Sequence, residues 1–180
     1  SDLVEKFILA EDGEVIEIPS GVFHISEQLI LSANNVKIKG QGQNKSILMF
    51  DQQKTGGESL LVTGNKAVLE DFAIYNSPGD AIKIFRSTGT IMRRLSILWL
   101  RGPHPKNGGY GLYPVQCKNI LIEDNFVSGA SDSGVYVGQS QNVTIRNNYA
   151  SYNVAGLEIE NSSFVEAYGN TAEFNTAGLL

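Results

Sequence analysis

The chain has 180 residues, of which 42% are hydrophobic and 18% charged, and its formal net charge is −5. This length and hydrophobic content suit one domain with its own core, so we expect a single domain over residues 1–180. The negative charge argues against a nucleic-acid partner, because phosphate binding needs a basic surface. No apolar run approaches the roughly 20 residues of a membrane span, and the single cysteine excludes an internal disulfide bond.

The first 40 residues predict one short helix followed by short strands. Leu3, Val4, Phe7 and Ile8 form one apolar stripe at helical spacing, and Asp2 precedes them as an N-cap. Strand patterns separated by polar breaks then follow at residues 15–18, 22–25, 28–31 and 35–39. A short amphipathic helix in this position suits the covering of an open first edge in a repeat protein.

The second half of the chain is an internal repeat. Gly111, Gly134, Gly156 and Gly178 lie 22 or 23 residues apart, and each opens a segment in which apolar and polar residues alternate. A period in the low twenties with strand alternation inside each copy is typical of a β-solenoid. Asn-Gly hairpin signals are scarce, so the copies favour parallel stacking of like positions on like.

The same repeat extends towards the N-terminus with two insertions. One apolar column contains Ile38, Leu69, Met92, Ile122, Ile145 and Ala167. Its longer intervals are explained by insertions at residues 51–57 and 101–110. Loops inserted into a solenoid collect on one face, which is often the binding face.

An asparagine follows each repeat glycine by 14 residues. Asn125, Asn148 and Asn170 occupy a place that holds Phe72 and Leu95 in earlier copies, so the place faces inward. A side-chain amide both donates and accepts hydrogen bonds. We therefore expect these three residues to form a structural ladder between copies rather than a ligand site.

Two further strings resemble a known family. Residues 142–148 (Asn-Val-Thr-Ile-Arg-Asn-Asn) and residues 10–25 are similar to the PbH1-type repeats and first coils of right-handed parallel β-helix proteins in the pectate-lyase-like superfamily. The resemblance implies an all-β, right-handed parallel β-helix with coils of about 22 residues and a short N-terminal capping helix. It also implies a carbohydrate partner and an extracellular or periplasmic location. The Asp-Pro-His motif of alginate epimerases is absent, since residues 102–105 read Gly-Pro-His-Pro.

Polysaccharide lyases and mannuronan epimerases in that superfamily suggest a first candidate site. Abstraction of a proton next to a uronate carboxylate needs a cation, a base and an acid. We expect His104 as the base and Tyr113 or Tyr136 as the acid. Lys83 and Arg101 would neutralise the carboxylate, and Arg86, Lys106 and Tyr110 would bind substrate nearby. These residue types do not distinguish elimination from epimerisation.

A second candidate site is acidic. Asp132, Glu158 and Glu160 are predicted on one outward face, with Asp80 two coils earlier. Paired carboxylates can act as acid and base in glycoside hydrolysis, or can bind Ca²⁺. We expect no obligatory cofactor, with Ca²⁺ as the cation that this face would take.

These patterns leave several functions open. The first is an enzyme acting on an acidic polysaccharide by elimination or epimerisation. The second is a β-helix without catalysis that binds glycan through its tyrosine and glutamate face. The third is a structural β-helix. Because Leu180 falls in the opening strand of a new coil, we expect further coils and a cap beyond it, or self-association into a homo-oligomer through that end.

Overall fold

The computed structural model describes residues 2–180, and in this range the chain forms one short helix followed by seven coils of parallel strands. Each coil places one strand in each of three sheets. Coils 1–4 contain β1 (Val15–Glu17), β2 (Gly21–His24), β3 (Leu29–Leu31), β4 (Lys37–Lys39), β5 (Ser46–Met49), β6 (Glu58–Val62), β7 (Val68–Glu70), β8 (Ala73–Tyr75), β9 (Asp80–Phe85), β10 (Ile91–Arg93), β11 (Ser96–Leu98) and β12 (Tyr110–Val115). Coils 5–7 contain β13 (Lys118–Glu123), β14 (Phe126–Ser128), β15 (Ser133–Gly138), β16 (Gln141–Arg146), β17 (Tyr149–Ser151), β18 (Ala155–Glu160), β19 (Ser163–Tyr168), β20 (Thr171–Glu173) and β21 (Ala177–Leu179).

The predicted right-handed parallel β-helix is confirmed. The first sheet begins with β1 and β4, the second with β2 and β5, and the third with β3 and β6. Each strand pairs with the strand three places later in the chain, as a solenoid requires.

The predicted helix α1 (Asp2–Ile8) covers the first coil. Leu3 and Phe7 are buried and the helix lies against β3, whereas Ile8 is exposed. Asp2 lies in its first turn and Lys6 in its last, which suits the helix dipole.

The coils stack in register, so equivalent side chains lie above one another. Ile38 pairs with Leu69, Leu69 with Met92, and Met92 with Ile122, and all four are fully buried. Complete burial of such a side chain contributes about 1.5–3 kcal/mol. The apolar column read from the sequence is therefore one inner wall of the core.

The inward asparagines are hydrogen-bonded between coils. Asn148 Oδ1 accepts from the backbone N–H of Asn125 at 3.0 Å and from its Nδ2 at 2.9 Å, and Asn170 Oδ1 accepts in the same way from Asn148. Asn148 Nδ2 also donates to the carbonyl of Ile122 at 3.0 Å. These bonds satisfy amides that would otherwise be costly to bury.

The repeat glycines occur where backbones of adjacent coils approach closely. A Cβ atom on Gly111 would lie 2.5 Å from the carbonyl oxygen of Gly134, and one on Gly134 would lie 3.0 Å from that of Gly156. Because real Cβ atoms do not approach other atoms so closely, the 22-residue glycine period records a steric requirement of the stack.

Both insertions lie at the turn between the second and third sheets. Residues 50–57 connect β5 to β6, and residues 99–109 connect β11 to β12. The longer loop is anchored by the buried Asn107, whose Nδ2 donates to the carbonyls of Gly102 at 2.9 Å and Gly129 at 2.6 Å. Trp99 Nε1 donates to the carbonyl of Ser77 at 2.6 Å. The prediction that the loops share one face is confirmed.

No helix among residues 2–180 has the length and apolar character needed to cross a membrane. The seventh coil exposes Phe164, Leu179 and Leu180. Self-association of this coil stays a prediction.

Replacing Asn148 by alanine is expected to destabilise the fold by about 2–4 kcal/mol, because the side chain bonds to the backbone N–H of Asn125 and the carbonyl of Ile122, both in coil 5. Urea unfolding followed by circular dichroism measures this change. Asn44→Ala, at an exposed turn residue, is the control and should change stability by less than about 0.5 kcal/mol. Equal stability of the two variants would contradict a structural role for the inward amide.

Candidate functional site

The outer surface of the third sheet gathers tyrosines and carboxylates from five successive coils. Alternation within the strands directs Lys83, Tyr113 and Tyr136 outward, and the strands pair in register. At the start of the strands two buried residues interrupt this alternation, so Asp80 and Tyr110 are also not fully buried. Lys83 therefore lies beside Tyr113, and Tyr136 beside Glu158. We call this surface the tyrosine face; its members are Glu58, Asp80, Lys83, Tyr110, Tyr113, Asp132, Tyr136, Glu158 and Glu160.

Three tyrosines form its centre. The ring centroids of Tyr110 and Tyr136 are 4.7 Å apart, those of Tyr110 and Tyr113 are 4.8 Å apart, and those of Tyr113 and Tyr136 are 5.3 Å apart. These separations are within the range of favourable aromatic contacts. All three rings are half-buried, so they form a fixed aromatic platform that still meets solvent.

Asp80 is the titratable group of this surface whose shifted pKa is most useful for catalysis. Burial raises the pKa of Asp80 to about 6, and the negative charges of Glu58 and Asp132 act in the same direction. The backbone N–H of Tyr110 donates to Asp80 Oδ1 at 3.1 Å and partly opposes this rise, as does Lys83. A carboxyl group poised near neutrality can donate or accept a proton during catalysis.

The tyrosine hydroxyls remain protonated at neutral pH. Burial, with the charges of Asp132 and Glu158, raises the pKa of Tyr110 to about 12. Burial also raises the pKa of Tyr136, whose hydroxyl donates to Glu160 Oε2. Burial and the charge of Asp80 raise the pKa of Tyr113. The three hydroxyls are therefore suited to donating hydrogen bonds rather than to acting as bases.

The predicted acidic residues belong to the same surface as the tyrosines. Glu158 Oε1 accepts a hydrogen bond from Ser133 Oγ at 2.7 Å, and Glu160 accepts from Tyr136. Asp132 Oδ1 accepts from Ser133 Oγ at 3.4 Å, and the charge of Asp132 helps to raise the pKa of Tyr110. Two separate candidate sites were predicted, and the stacking of the coils brings the acidic residues onto the same surface as Lys83 and the three tyrosines.

Of the predicted cations, Lys83 lies within the tyrosine face. Its Nζ is 5.6 Å from the ring centroid of Tyr113 and 5.1 Å from that of Phe85. Arg86 follows the C-terminal end of β9. Its guanidinium makes a cation–π contact with Phe85, and its Nε donates to Gln116 Oε1 at 2.8 Å. Carboxylates therefore outnumber cations on this surface.

The long insertion contains His104, Arg101 and Lys106, and hydrogen bonds join these residues to others of the same loop. His104 Nδ1 accepts from the backbone N–H of Lys106 at 3.0 Å, and Arg101 Nε donates to Asn107 Oδ1 at 2.6 Å. The structure does not bring His104 into the ring contacts of the tyrosine face. Its assignment as a base, like the roles of Arg101 and Lys106, stays a prediction.

The insertion borders two clefts on the turn side of the helix. A cleft of about 540 Å³ contains Asp51, Trp99, Arg101 and Lys106 among its lining residues. The second, which we call the turn cleft, has a volume of about 610 Å³ and lies between the outer arm of the loop and the turns of coils 5–7. Its lining includes Pro103, His104, Ser131, Tyr152, Phe174 and Asn175.

Sequence reasoning missed some residues that the fold brings to these places. Glu58 pairs in register with Asp80 and lies one coil before it. Comparing the first residues of successive strands, and not only the outward residues further along, would have identified Glu58. Tyr152 and Phe174 lie 22 residues apart at equivalent turns. The repeat period therefore predicts that they are neighbours in the stack. Within residues 2–180, no three His, Cys, Asp or Glu side chains are grouped closely enough to hold a metal ion.

The comparisons with known proteins concern the fold. The family described as right handed beta helix region matches residues 20–180. No curated protein sequence matches the chain.

Solved structures share the fold at low identity. The A-module of mannuronan C-5 epimerase AlgE4 from Azotobacter vinelandii matches with a TM-score of 0.80 and 16% identity, over 99% of this chain and 53% of that chain. DFA-IIIase from Arthrobacter chlorophenolicus A6 matches with a TM-score of 0.79 and 13% identity, over 92% and 48%. The alginate lyase from Paenibacillus sp. str. FPU-7 matches with a TM-score of 0.64 and 18% identity, over 94% and 70%. The chain spans about half the length of the first two proteins.

At these identities the structural likeness shows the architecture alone, whereas the family match covers most of the sequence. The family match agrees with the seven in-register coils and their repeat period. The chain belongs to the right-handed beta-helix family.

Proposed function

We propose that this chain is part of a carbohydrate-active β-helix protein and that the tyrosine face receives a glycan. The observation that carries the proposal is the convergence of three half-buried tyrosines with Asp80 and neighbouring carboxylates on one sheet. Aromatic rings offer flat apolar contact to a sugar ring, and carboxylates and hydroxyls offer hydrogen bonds to its edges.

The chemistry we propose is acid–base cleavage of a glycosidic bond. Asp80 donates its proton to the departing oxygen, since its pKa of about 6 keeps a protonated fraction near neutrality. Asp132, whose charge acts on both Tyr110 and Asp80, is the base that takes a proton from the attacking water. The surplus of carboxylates favours a sugar at this position that is neutral or weakly charged, because a polyanion would be repelled.

A uronate substrate, cleaved by elimination or altered by epimerisation, is a second candidate. Lys83 beside the Tyr113 ring supports it, because this pair supplies a cation for the uronate carboxylate and a phenol as proton donor. The mannuronan C-5 epimerase and the alginate lyase that share the fold are named for polymers of this kind. This route needs Lys83, or an added Ca²⁺ ion, to offset the acidic surroundings.

We propose that the protein acts outside the cytoplasm, either in the extracellular space or in the periplasm. The reason is the proposed class of substrate, because cell-wall and secreted polysaccharides lie outside the cytoplasm. Any need for Ca²⁺ is part of the proposal and is tested with it.

Proton NMR of polysaccharides before and after incubation with the chain tests the reaction. We expect new reducing-end signals from a neutral glucan if Asp80 acts as the acid of hydrolysis. An unsaturated uronate or a changed epimer from alginate or polygalacturonate would instead support the Lys83 route. Samples with Ca²⁺ and with EDTA show the dependence on metal. No change in any polymer under both conditions would contradict an enzymatic function.

The pH dependence tests the role of Asp80. Because a general acid must carry its proton, kcat/KM should fall as the pH rises above about 6, by about tenfold per unit. Asp80→Asn keeps the oxygen that accepts from Tyr110 but cannot donate a proton. It should lower kcat/KM by about 10²- to 10⁴-fold and abolish this limb.

Asp12→Asn is the matched control, because Asp12 also accepts a backbone N–H, from Asn34 at 2.8 Å, on the first coils. It should leave the profile unchanged. If the Asp80 variant keeps the full rate and the same limb, Asp80 is not the acid.

A further inference from the structure

The turn cleft adjoins the tyrosine face through a single peptide bond. Ser131 lines the cleft, and the next residue, Asp132, belongs to the tyrosine face. The cleft follows the turns of coils 5–7. Since strands of neighbouring coils are about 4.8 Å apart, it runs for about 10 Å along the helix axis. A linear polymer that lies on the tyrosine face can therefore continue into the cleft.

Two aromatic residues in the cleft hold unfavourable backbone conformations. Tyr152 has φ 56° and Phe174 has φ 58°, both left-handed. The equivalent turn positions in other coils include Asn76 at φ 57° and Gly129 at φ 97°, which are residues that tolerate this region. The left-handed conformation recurs at turns along the solenoid, at Lys66, Arg86 and Phe164 among others, so it reflects the turn geometry. At Tyr152 and Phe174 this geometry directs aromatic rings into the cleft.

The two rings are not buried in the core. Tyr152 is 48% exposed and Phe174 is 66% exposed. Their rings stack with centroids 5.4 Å apart and planes 16° apart. The result is a continuous aromatic surface across two coils that faces the cleft rather than the core.

The remaining lining mixes apolar residues (Pro103, Pro105, Ala130 and Val154) with uncharged polar ones, and it carries no carboxylate, lysine or arginine. His104 Nδ1 accepts from Lys106, so the ring proton lies on Nε2, where it can donate to a ligand. The side chains of Ser131 and Thr176 add hydroxyl groups to the lining. A ligand that fits this combination has a flat apolar face and several uncharged hydroxyl groups, as a neutral pyranose ring has.

We infer that the turn cleft is a separate saccharide subsite, with Tyr152 and Phe174 as its stacking platform and His104 as a donor at its edge. It binds neutral sugar units of the same polymer that the tyrosine face receives, and in this respect it rests on the proposed function. The subsite contributes affinity and holds the polymer in place, while the reacting bond lies on the tyrosine face.

Affinity gel electrophoresis of the full chain, in gels containing a neutral glucan, alginate or polygalacturonate, tests this inference. Tyr152→Asn and Phe174→Asn remove the rings and install a residue that the left-handed backbone favours, so both variants are expected to fold. Loss of one stacking contact should weaken binding about tenfold. KM should rise similarly while kcat changes little, as expected when a contact serves binding alone.

Phe164→Asn is the matched control. Phe164 also has a left-handed backbone, with φ 55°, and is 83% exposed, and the equivalent residues Asn119 and Asn142 are asparagines. It lies on the first sheet, away from the cleft. Its replacement should leave binding unchanged.

The outcomes separate this inference from the proposed function. Retardation of the wild type that is unchanged in the Tyr152 and Phe174 variants would overturn the subsite alone. Weaker binding in these variants, with no polymer altered by the wild type, would support the subsite and overturn the enzymatic function. If the wild type binds none of the three polymers, the subsite and the carbohydrate function both fail.

Discussion

The in-register hydrogen bonding of each coil to the next is the constraint on which the rest of the structure depends. It converts a sequence period into vertical columns, so a residue type that recurs every 22 or 23 positions becomes a continuous feature of the molecule. The glycine column exists because Gly111 and Gly134 meet the backbone of the next coil too closely for a Cβ atom. The inward column of Asn125 and Asn148 exists because amides stacked at this distance bond to one another and to the backbone.

The same constraint produces the chemistry of the outer surface. Stacking brings Asp80 between Glu58 and Tyr110 in register, although these residues are up to 52 positions apart in the chain. Asp80 is partly shielded from water there and lies near the negative charges of Glu58 and Asp132, which raises its pKa towards neutrality. The tyrosines form a packed cluster because Tyr110 and Tyr113 of one coil both contact Tyr136 of the next. A rigid scaffold that aligns groups from several coils can therefore assemble an acid–base site without any loop closure.

The sequence predicted the coils, the inward columns and the outward direction of Lys83, Tyr113 and Tyr136, because a strict period specifies which residues stack. It also placed glutamate and tyrosine on one outward face, but it did not predict that Asp80 lies beside Tyr110, since that depends on how the strand ends and turns pack. The long insertion was harder still. Its course is determined by bonds of Asn107 to Gly102 and Gly129, which no periodicity reveals. For this reason the position of His104 relative to the tyrosines was not accessible from the pattern.

Binding of a sugar to the tyrosine face can be seen in a crystal structure of the Asp80→Asn variant soaked with oligosaccharides. We expect a sugar ring against Tyr110, Tyr113 and Tyr136, with the glycosidic oxygen within hydrogen-bond distance of the side chain at position 80. An oligosaccharide bound only to the first or second sheet, or none at saturating concentration, would contradict it.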